Sequence, residues 1–262
     1  MAKMLVNGLK IDYALDGAEG APVLVLAHSL ATSKAVWRRQ IGALGGRFRL
    51  LSFDVRGHGG SPLPPRSWQL EHCADDVAEL IMSLGITKAA YIGLSLGGMI
   101  GQIVALRHPG LISKLVLCST SSRTAPEGLG AWDERIRLAR EDGMESLVAG
   151  TINRWFSADF QHQDPAAVEQ IRGLIRATPV EGYIAACQAI KAFDVSDRIQ
   201  RIAAPTLVIA GERDQGTPVA VNRAIAEAIP GARFEVLPGA LHLANIEAAE
   251  AFNHLLLDFL QA

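Results

Sequence analysis

A single serine, Ser95, stands inside a glycine cluster in the stretch "YIGLSLGGMIGQ" (91–102). With Gly93 before it and Gly97 after it, the serine fits the spacing G-x-S-x-G between a strand-like run and a helical pattern. In that context a sharp turn exposes the serine hydroxyl, while the glycines leave room for neighbouring backbone. The alternative is a turn that only packs a helix on a strand or cradles phosphate. A dinucleotide fingerprint would have glycine in place of Ser95, and a P-loop would have a Gly-Lys pair, so we predict a nucleophile.

A serine hydroxyl is a weak nucleophile and needs a base, which in turn needs an acid to orient it. Two acids, Glu212 and Asp214, follow the apolar run "PTLVIAG". Thr217 and Pro218 look like the N-cap and first residue of the next helix, which leaves Asp214 in the loop just past the strand. We therefore predict Asp214 as the acid, with Glu212 as the alternative. An acid after "KLVLCS" is less favoured, because that loop has no carboxylate before Glu127.

The base is predicted from its position in the chain. On an architecture with this serine turn the order is serine, acid, histidine. His242 follows the last apolar run, "RFEVLP" (233–238), and is the only histidine between the acid and the C-terminal helical pattern. His58, in "DVRGHGGS", precedes Ser95 and is out of order. We interpret that segment, including Asp54, as a tight polar turn.

Acyl transfer also needs two N–H donors for the oxygen that becomes negatively charged. The Leu96 N–H stands at the predicted start of a helix, where negative charge is favoured. The second donor is expected in the loop after "PVLVLAHS", which reads His28-Ser29-Leu30. We assign the Leu30 N–H as that donor, and we expect His28 and Ser29 to shape the loop rather than to react.

Six short β-rich runs, several of them apolar at nearly every position, alternate with helical patterns and must position these residues. They are "PVLVLAHS" (22–29), "FRLLSFD" (48–54), "AAYIGLS" (89–95), "KLVLCS" (114–119), "PTLVIAG" (205–211) and "RFEVLP" (233–238). Such runs are typical of strands covered on both faces in a parallel sheet, with helices as crossovers. The sequence therefore predicts an α/β fold with a mostly parallel central sheet. The N-terminal "MLVNGLKIDYAL" carries an Asn-Gly turn signal and predicts an antiparallel edge hairpin.

The alternation fails between about Ser121 and Ile202, where the patterns are helical and no strand is convincing. We predict an all-helical cap at 121–202, inserted between two core strands near their C-terminal ends. The core is then formed by 1–120 and 203–262.

The composition of the chain limits the classes of partner that it is expected to bind. The chain has 262 residues, 49% hydrophobic residues and a formal net charge of −2, which favours neither disorder nor a nucleic-acid surface. No apolar stretch is long enough for a membrane span or a secretory signal, so we expect a cytoplasmic protein with a small-molecule partner. Cys73, Cys118 and Cys187 are too few and too widely spaced for a disulfide framework or a zinc site, and we predict buried thiols. No metal-binding spacing is found.

"GLSLGG", "DVRGHGGS", "GERDQGTP" and "LHLANIE" together resemble the motifs of the α/β-hydrolase superfamily over nearly the whole chain. Within it, "HSLATSKAVW", "RWFSADF" and "TPVEGYIAACQAIKAFDV" resemble the 3-oxoadipate enol-lactonases of aromatic catabolism. The resemblance implies an α/β-hydrolase fold and a cofactor-free hydrolase that opens the enol-lactone to 3-oxoadipate. The family's serine, aspartate and histidine fall on Ser95, Asp214 and His242, and its cap tryptophan falls on Trp132.

That substrate carries a carboxylate, so a cationic residue is expected on the cap side of the site. Trp132 and Arg135 are three residues apart and share a face of one predicted helix, while Arg154 beside Trp155 is a rival. A solvated surface charge is the alternative for each arginine.

Two other functions stay open: a broad-specificity esterase or perhydrolase with the same triad, and a ligand-binding protein that turns over hardly at all. Ser95 argues against dehalogenase or epoxide hydrolase chemistry, which on this fold uses an aspartate nucleophile.

Overall fold

The sheet predicted by the strand-like runs is present in the computed structural model, which describes residues 2–261. Over those residues the strands are β1 Ala2–Val6, β2 Leu9–Asp16, β3 Val23–Ala27, β4 Arg49–Phe53, β5 Ala89–Leu94, β6 Ile112–Cys118, β7 Thr206–Gly211 and β8 Arg233–Leu237. They lie in the order β1-β2-β4-β3-β5-β6-β7-β8. Both contacts of β2 are antiparallel, and the others are parallel. The prediction of a mostly parallel α/β sheet is confirmed.

Helices flank this sheet. Over the same residues they are α1 Arg38–Leu44, α2 Leu70–Ser83, α3 Leu96–Arg107, α4 Leu129–Asp142, α5 Glu145–Trp155, α6 Ala158–Gln163, α7 Pro165–Ala177, α8 Val180–Lys191, α9 Val219–Ala228, α10 Ala244–Glu247 and α11 Ala249–Gln261. β5 and β7 are buried at every position, as expected of strands with both faces covered. In this part of the chain no helix has the length and apolar character needed to cross a membrane.

An antiparallel hairpin forms one edge of the sheet, as the N-terminal pattern predicts. Asn7 and Gly8 lie in its turn with φ of 47° and 81°. This left-handed conformation is the one that Asn-Gly turns provide. β1 pairs only with β2 and is largely exposed, because it is the edge strand.

The chain between β6 and β7 contains α4 to α8, and within residues 2–261 this segment holds no strand. α4 packs against α8, and α5 against α7. Gly143, with φ of 75°, separates α4 from α5, because a residue in the left-handed region ends a helix. An isolated bridge between Arg123 and Asp194 joins the two ends of the segment. The boundaries of a separate core and cap remain a prediction.

Four loops that follow strands carry the predicted site. Leu30 follows β3, Ser95 follows β5, Asp214 follows β7 and His242 follows β8. These four strands run parallel within one sheet. The carboxyl ends of parallel strands meet at the same edge, where ligands bind in open α/β sheets. The topology therefore brings residues that lie far apart in the chain to one edge of the sheet.

The cysteines take no part in this edge chemistry. All three, Cys73, Cys118 and Cys187, are free and buried, which confirms the prediction of buried thiols. Burial raises the pKa of each thiol well above its ordinary value. They are therefore core residues that remain protonated at neutral pH.

Candidate active site

Ser95 occupies a strained turn between β5 and α3. Its backbone has φ of 54° and ψ of −109°, a conformation that residues with a side chain rarely adopt and that costs roughly 1–3 kcal/mol. A Cβ on Gly93 would lie 2.3 Å from the Gly97 carbonyl oxygen, and one on Gly97 would lie 2.1 Å from the Ala27 oxygen. Only glycine fits at both positions, which is the physical reason for the G-x-S-x-G spacing.

Hydrogen bonds from the neighbouring strand hold this turn. The Ser95 N–H donates to the Cys118 carbonyl at 2.8 Å, and the Ser95 carbonyl accepts from the Thr120 hydroxyl at 2.8 Å. Thr120 is fixed in turn, because its N–H donates to the Asn222 side-chain oxygen at 3.0 Å. The strained backbone is thus surrounded by paired polar groups, and the serine side chain projects from a fixed position.

Asp214 is buried, and both of its oxygens accept hydrogen bonds. Oδ1 accepts from the N–H groups of Gly216 and Thr217 at 2.8 and 3.1 Å. Oδ2 accepts from the Thr217 hydroxyl at 2.6 Å and from His242 Nδ1 at 2.7 Å. Burial alone would raise the pKa of this carboxyl, but His242 and the Thr217 hydrogen bonds outweigh burial and hold the pKa below its ordinary value. The carboxylate therefore stays ionised beside the histidine.

Two neighbours of this acid differ in their roles from what the sequence indicated. The expectation that Thr217 caps the next helix is wrong, because α9 begins after Pro218, which takes the cap position. Thr217 instead gives both its hydroxyl and its N–H to Asp214. Glu212, the alternative acid, is exposed and accepts from the Gly239 N–H at 2.8 Å. It lies in the same loop, but His242 Nδ1 is bonded to Asp214 instead.

His242 is buried between the acid and an aromatic ring. Because Asp214 Oδ2 is an acceptor, Nδ1 carries the proton, and Nε2 is left as an acceptor. The imidazole stacks on Trp155, with ring centroids 6.0 Å apart and an angle of 25° between the planes. His242 and Ser95 line the same cavity, although within residues 2–261 no hydrogen bond joins their side chains. Such bonds often tighten only in the substrate complex.

The two assigned N–H donors are both available. Within the described part of the chain, the Leu30 and Leu96 N–H groups donate to no protein acceptor. The Ser29 carbonyl accepts from His28 Nδ1 at 2.8 Å and from the Thr32 hydroxyl at 2.7 Å. Because a trans peptide points its N–H opposite to its C=O, these bonds direct the Leu30 N–H away from His28. His28 Nδ1 can donate because its Nε2 already accepts from a backbone N–H, that of Val55, at 2.9 Å.

Asp54 and His58 lie beneath this loop and not in the cavity. Lys34 forms ion pairs with Asp54 and with Asp12. His58 Nε2 accepts from the Ala31 N–H at 3.3 Å. Burial, and then the neighbouring His28, lower the pKa of His58 to about 3. These groups form a buried polar turn that supports the loop, in keeping with the interpretation of "DVRGHGGS".

A cavity of about 480 Å³ joins the triad to the helices above it. The predicted site residues that line it are Leu30, Ser95, Trp132, Arg135, Arg154, Asp214 and His242. The Arg135 guanidinium lies 4.5 Å from the centroid of the Trp132 ring. Arg154 donates to the Thr151 hydroxyl at 3.1 Å. Burial, and then the nearby Arg135, lower the pKa of Arg154. Within residues 2–261 neither arginine has a carboxylate partner, so this end of the cavity favours an anion.

A larger and more open groove of about 700 Å³ lies between α1 and α7, where Arg39 pairs with Asp164. It contains no residue of the predicted site, so we place the chemistry in the smaller cavity. Over the described residues, no three His, Cys, Asp or Glu side chains cluster as metal ligands.

Some residues that complete the site were not found from the sequence. Thr217 gave a weak signal, since it stands three residues after the acid, where a side chain can bond back to it. The sequence places Trp155 beside Arg154 but does not indicate its stacking on His242, which depends on how α5 lies over the sheet. Tyr183, from α8, also lines the cavity. Neither aromatic residue carries a local pattern that separates it from the core.

Comparison with known proteins shows the family of this chain. A family model described as the alpha/beta hydrolase fold matches residues 22–249. 3-Oxoadipate enol-lactonase 2 of Acinetobacter baylyi is 33% identical, over 96% of this chain and 93% of its own. A relative from Agrobacterium fabrum that bears the name of a carbamate hydrolase is 32% identical, over 92% of this chain and 93% of its own.

The crystal structure of the enol-lactonase from Burkholderia xenovorans is also similar. It has a TM-score of 0.95 and 38% sequence identity, over 99% of this chain and 100% of that one. The resemblance found in the sequence is thereby confirmed. The range matched by the family model, residues 22–249, contains Ser95, Asp214 and His242.

Proposed function

Because the chain belongs to the α/β-hydrolase fold family, we propose that it is a serine hydrolase that opens a lactone or carboxylic ester through an acyl-enzyme. One observation carries this proposal. The Asp214–His242 hydrogen bond of 2.7 Å fixes an imidazole in the same cavity as a serine on a strained turn. An acid, a base and a nucleophile on three different loops form the arrangement that activates a hydroxyl.

In the first half of the reaction, Ser95 Oγ attacks the substrate carbonyl carbon while His242 Nε2 takes the hydroxyl proton. The imidazole becomes positively charged, and the ionised Asp214 stabilises that charge through Nδ1. The carbonyl oxygen becomes an oxyanion, which the Leu30 and Leu96 N–H groups stabilise. Each such donor is worth roughly 3–4 kcal/mol in the transition state.

The intermediate then collapses, breaking the bond between the acyl carbon and the leaving oxygen. An enol oxygen is a good leaving group, so the bond breaks with little help from protonation. The departing oxygen then takes the proton held by His242, which leaves the imidazole neutral again. In a lactone the leaving group stays attached to the acyl chain. Water next attacks the acyl carbon and gives its proton to His242, which returns a proton to Ser95 as the acid is released. One water molecule is consumed and no cofactor enters these steps.

We propose 3-oxoadipate enol-lactone as the substrate. The guanidinium groups of Arg135 and Arg154, which have no carboxylate partner within residues 2–261, provide positive charge for its carboxylate in a site partly shielded from water. Trp132 provides apolar area over the lactone ring. Relatives named as enol-lactonases, one at 33% identity and one solved at 38%, support this choice.

The helical segment takes part in this proposal as a cap. We propose that 121–202 forms the cap over a core made of 1–120 and 203–262. The cavity supports that division, because its triad residues come from loops of the sheet, whereas Trp132, Arg135 and Arg154 come from α4 and α5. The cap would then determine which acyl compound reaches Ser95.

A turnover assay that presents the enol-lactone, a neutral aryl ester and an aryl carbamate side by side tests the substrate. We expect the enol-lactone to have the highest kcat/KM. Preference for the aryl ester would indicate a broad-specificity esterase, and preference for the carbamate would follow the Agrobacterium relative. Tight binding of the lactone without turnover would indicate a ligand-binding protein, and it would contradict the proposed hydrolase.

A further inference from the structure

Glu247, the last residue of α10, joins two parts of the molecule that the reaction needs together. Its Oε2 accepts from the Leu241 N–H at 2.7 Å, directly before His242. Its Oε1 accepts from the Ser157 N–H at 2.9 Å, at the start of α6. One carboxylate thus binds the histidine loop with one oxygen and the helical segment between β6 and β7 with the other.

A second link lies on the other side of the histidine. The Leu243 N–H donates to the Trp155 carbonyl at 3.3 Å, and the Trp155 ring stacks on the imidazole. The N–H before His242 is thus bonded to Glu247, which also binds the start of α6. The N–H after His242 is bonded directly to the last residue of α5. The position of this junction constrains the position of the base.

We propose that Glu247 is a positioning residue that couples the placement of the α5–α6 junction to the orientation of His242. It is not among the residues that line the cavity, so it acts through the loop rather than on the substrate. The inference rests on the proposed function only in taking His242 as the base. It assigns a role to the final residue of the "LHLANIE" motif.

A carboxylate suits this task because it offers two acceptors and no donor. Each of its oxygens receives one backbone N–H. A glutamine keeps one acceptor, but its NH₂ group must face either the Leu241 or the Ser157 N–H, donor against donor. Glu247→Gln therefore breaks one of the two links whichever way the amide is turned.

The first arm of the test compares Glu247→Gln with Glu250→Gln. Glu250 is exposed in the first turn of α11 and loses the same charge. We expect Glu247→Gln to lower kcat on a small aryl ester by about 10- to 100-fold with little change in KM, since small misplacement of a catalytic group costs that much. Glu250→Gln should leave both constants unchanged.

The second arm breaks the link from the side of the helical segment. Ser157 has φ of −63°, and Phe156 before it is extended, so proline fits at 157 without its N–H. Both Ser157→Pro and Ser157→Ala lose the hydroxyl that caps the Phe160 N–H, but only the proline loses the bond to Glu247. We expect Ser157→Pro to be about tenfold slower than Ser157→Ala. In a Glu247→Gln background that difference should vanish.

A third readout does not depend on turnover: the proton NMR signal of the His242 Nδ1–H bonded to Asp214. Glu247→Gln and Ser157→Pro should shift or broaden it, whereas Ser157→Ala and Glu250→Gln should not. If Glu247→Gln lowers only the melting temperature, and leaves kcat and this signal unchanged, the carboxylate is merely structural and the proposal is overturned.

Equal behaviour of Ser157→Pro and Ser157→Ala, in rate and in the NMR signal, would overturn the coupling to the α5–α6 junction. This pair also decides the question if Glu247→Gln does not fold. Failure of the proposed function looks different, because the wild-type protein would then hydrolyse none of the three substrates. The NMR comparison would in that case still decide the role of Glu247.

Discussion

At the scale of single residues, Asp214, which we propose as the acid, is distinguished by the four hydrogen bonds it accepts. Two of them fix Oδ1, and the other two bring the Thr217 hydroxyl and His242 Nδ1 to Oδ2. This carboxylate can only accept, so it selects the histidine tautomer with the proton on Nδ1. The assignment of the acid therefore follows from which side chain can impose that tautomer.

Asp214→Asn should lower kcat on an aryl ester by about 10⁴, because the amide can present a donor to Nδ1 and favour the wrong tautomer, as found for a serine protease. Steady-state rates of the purified variant measure this. Glu212→Gln is the matched control, since it removes the same charge from an exposed position in the same loop. A damaging Glu212→Gln beside a mild Asp214→Asn would show that the acid is misassigned.

We propose that the arginines of the cavity act on the charge of the substrate rather than on the chemical step. Replacing Arg135 by alanine should raise KM for the carboxylate-bearing lactone by the equivalent of roughly 1.5–3 kcal/mol, a hydrogen bond to a charged group. KM for a neutral aryl ester should stay nearly the same. Arg140→Ala, an exposed position on the same helix, is the control.

Equal losses on both substrates would point to general damage to α4. If neither substrate is affected, the role passes to Arg154, and the same pair of assays on Arg154→Ala decides it. Arg154 already loses favourable solvation on burial, and the neighbouring guanidinium adds repulsion. A bound carboxylate would relieve both effects.

The sequence predicted the residues whose roles follow from chain order. Ser95 has a local spacing, and Asp214 and His242 follow from the positions of strands. Thr217 was misread as a helix cap, because its role depends on where α9 begins. Glu247 and Trp155 lie in the stretches "LHLANIE" and "RWFSADF", but the sequence does not indicate their contacts, because their partners are set by how a distant segment lies over the sheet.

At the scale of elements, the nucleophile turn depends on close approach of backbones. Gly97→Ala should cost about 1–3 kcal/mol of unfolding free energy, because its Cβ would overlap the Ala27 carbonyl oxygen. It should also lower activity by displacing the turn. Gly130→Ala is the control: its Cβ would meet nothing within 4 Å, and alanine in a helix gains about 0.5–1 kcal/mol over glycine. Denaturant unfolding of both variants measures this, and equal stability would contradict the packing argument.

The loop after β4 makes the fold sensitive to acid through His58. Its pKa is lowered from 6.5 to about 3 in the folded protein. The unfolded chain therefore binds more protons between these values, so the stabilisation is complete above about pH 6.5 and is lost as pH falls toward 3. At about pH 5 the free energy of unfolding is lower by about 2 kcal/mol than above pH 6.5, because of this histidine alone.

His58→Gln should remove this share of the pH dependence, because glutamine does not titrate and can still accept from the Ala31 N–H. The change in unfolding free energy between about pH 7.5 and pH 5 should shrink by about 2 kcal/mol. His254→Gln, at an exposed position, should leave the pH dependence as it is. An unchanged pH dependence in His58→Gln would show that the imidazole is not held neutral.

The apolar runs predicted where the strands lie in the chain, but they did not predict the residues at which the strands begin and end. The run "PVLVLAHS" predicts a strand to Ser29, yet β3 ends at Ala27, because His28 and Ser29 turn to hold the loop beneath the triad. β6 begins at Ile112, two residues before the predicted run. Ends differ in this way because they depend on loop hydrogen bonds, whereas the middle of each strand depends on burial, which the apolar runs record.

At the scale of the whole molecule, the cavity exists only because the helical segment lies over the carboxyl edge of the sheet. Its attachments join distant parts of the chain, such as Arg39 to Asp164 and Leu243 to Trp155. A single sequence carries no information on such pairings. The sequence therefore predicted a helical insertion, but it left open which of Arg135 and Arg154 lines the cavity. The structure places both there.

Covalent labelling of Ser95 tests the central claim most directly. A fluorophosphonate reacts with an activated serine, so the folded protein should gain the mass of one adduct, and peptide mapping should place it on Ser95. Ser95→Ala should gain no adduct and lose about 10⁴–10⁶ in kcat with the fold intact, because nucleophile and base act as a unit. An adduct on another residue, or an alanine variant that keeps its activity, would contradict the assignment of Ser95 as the nucleophile.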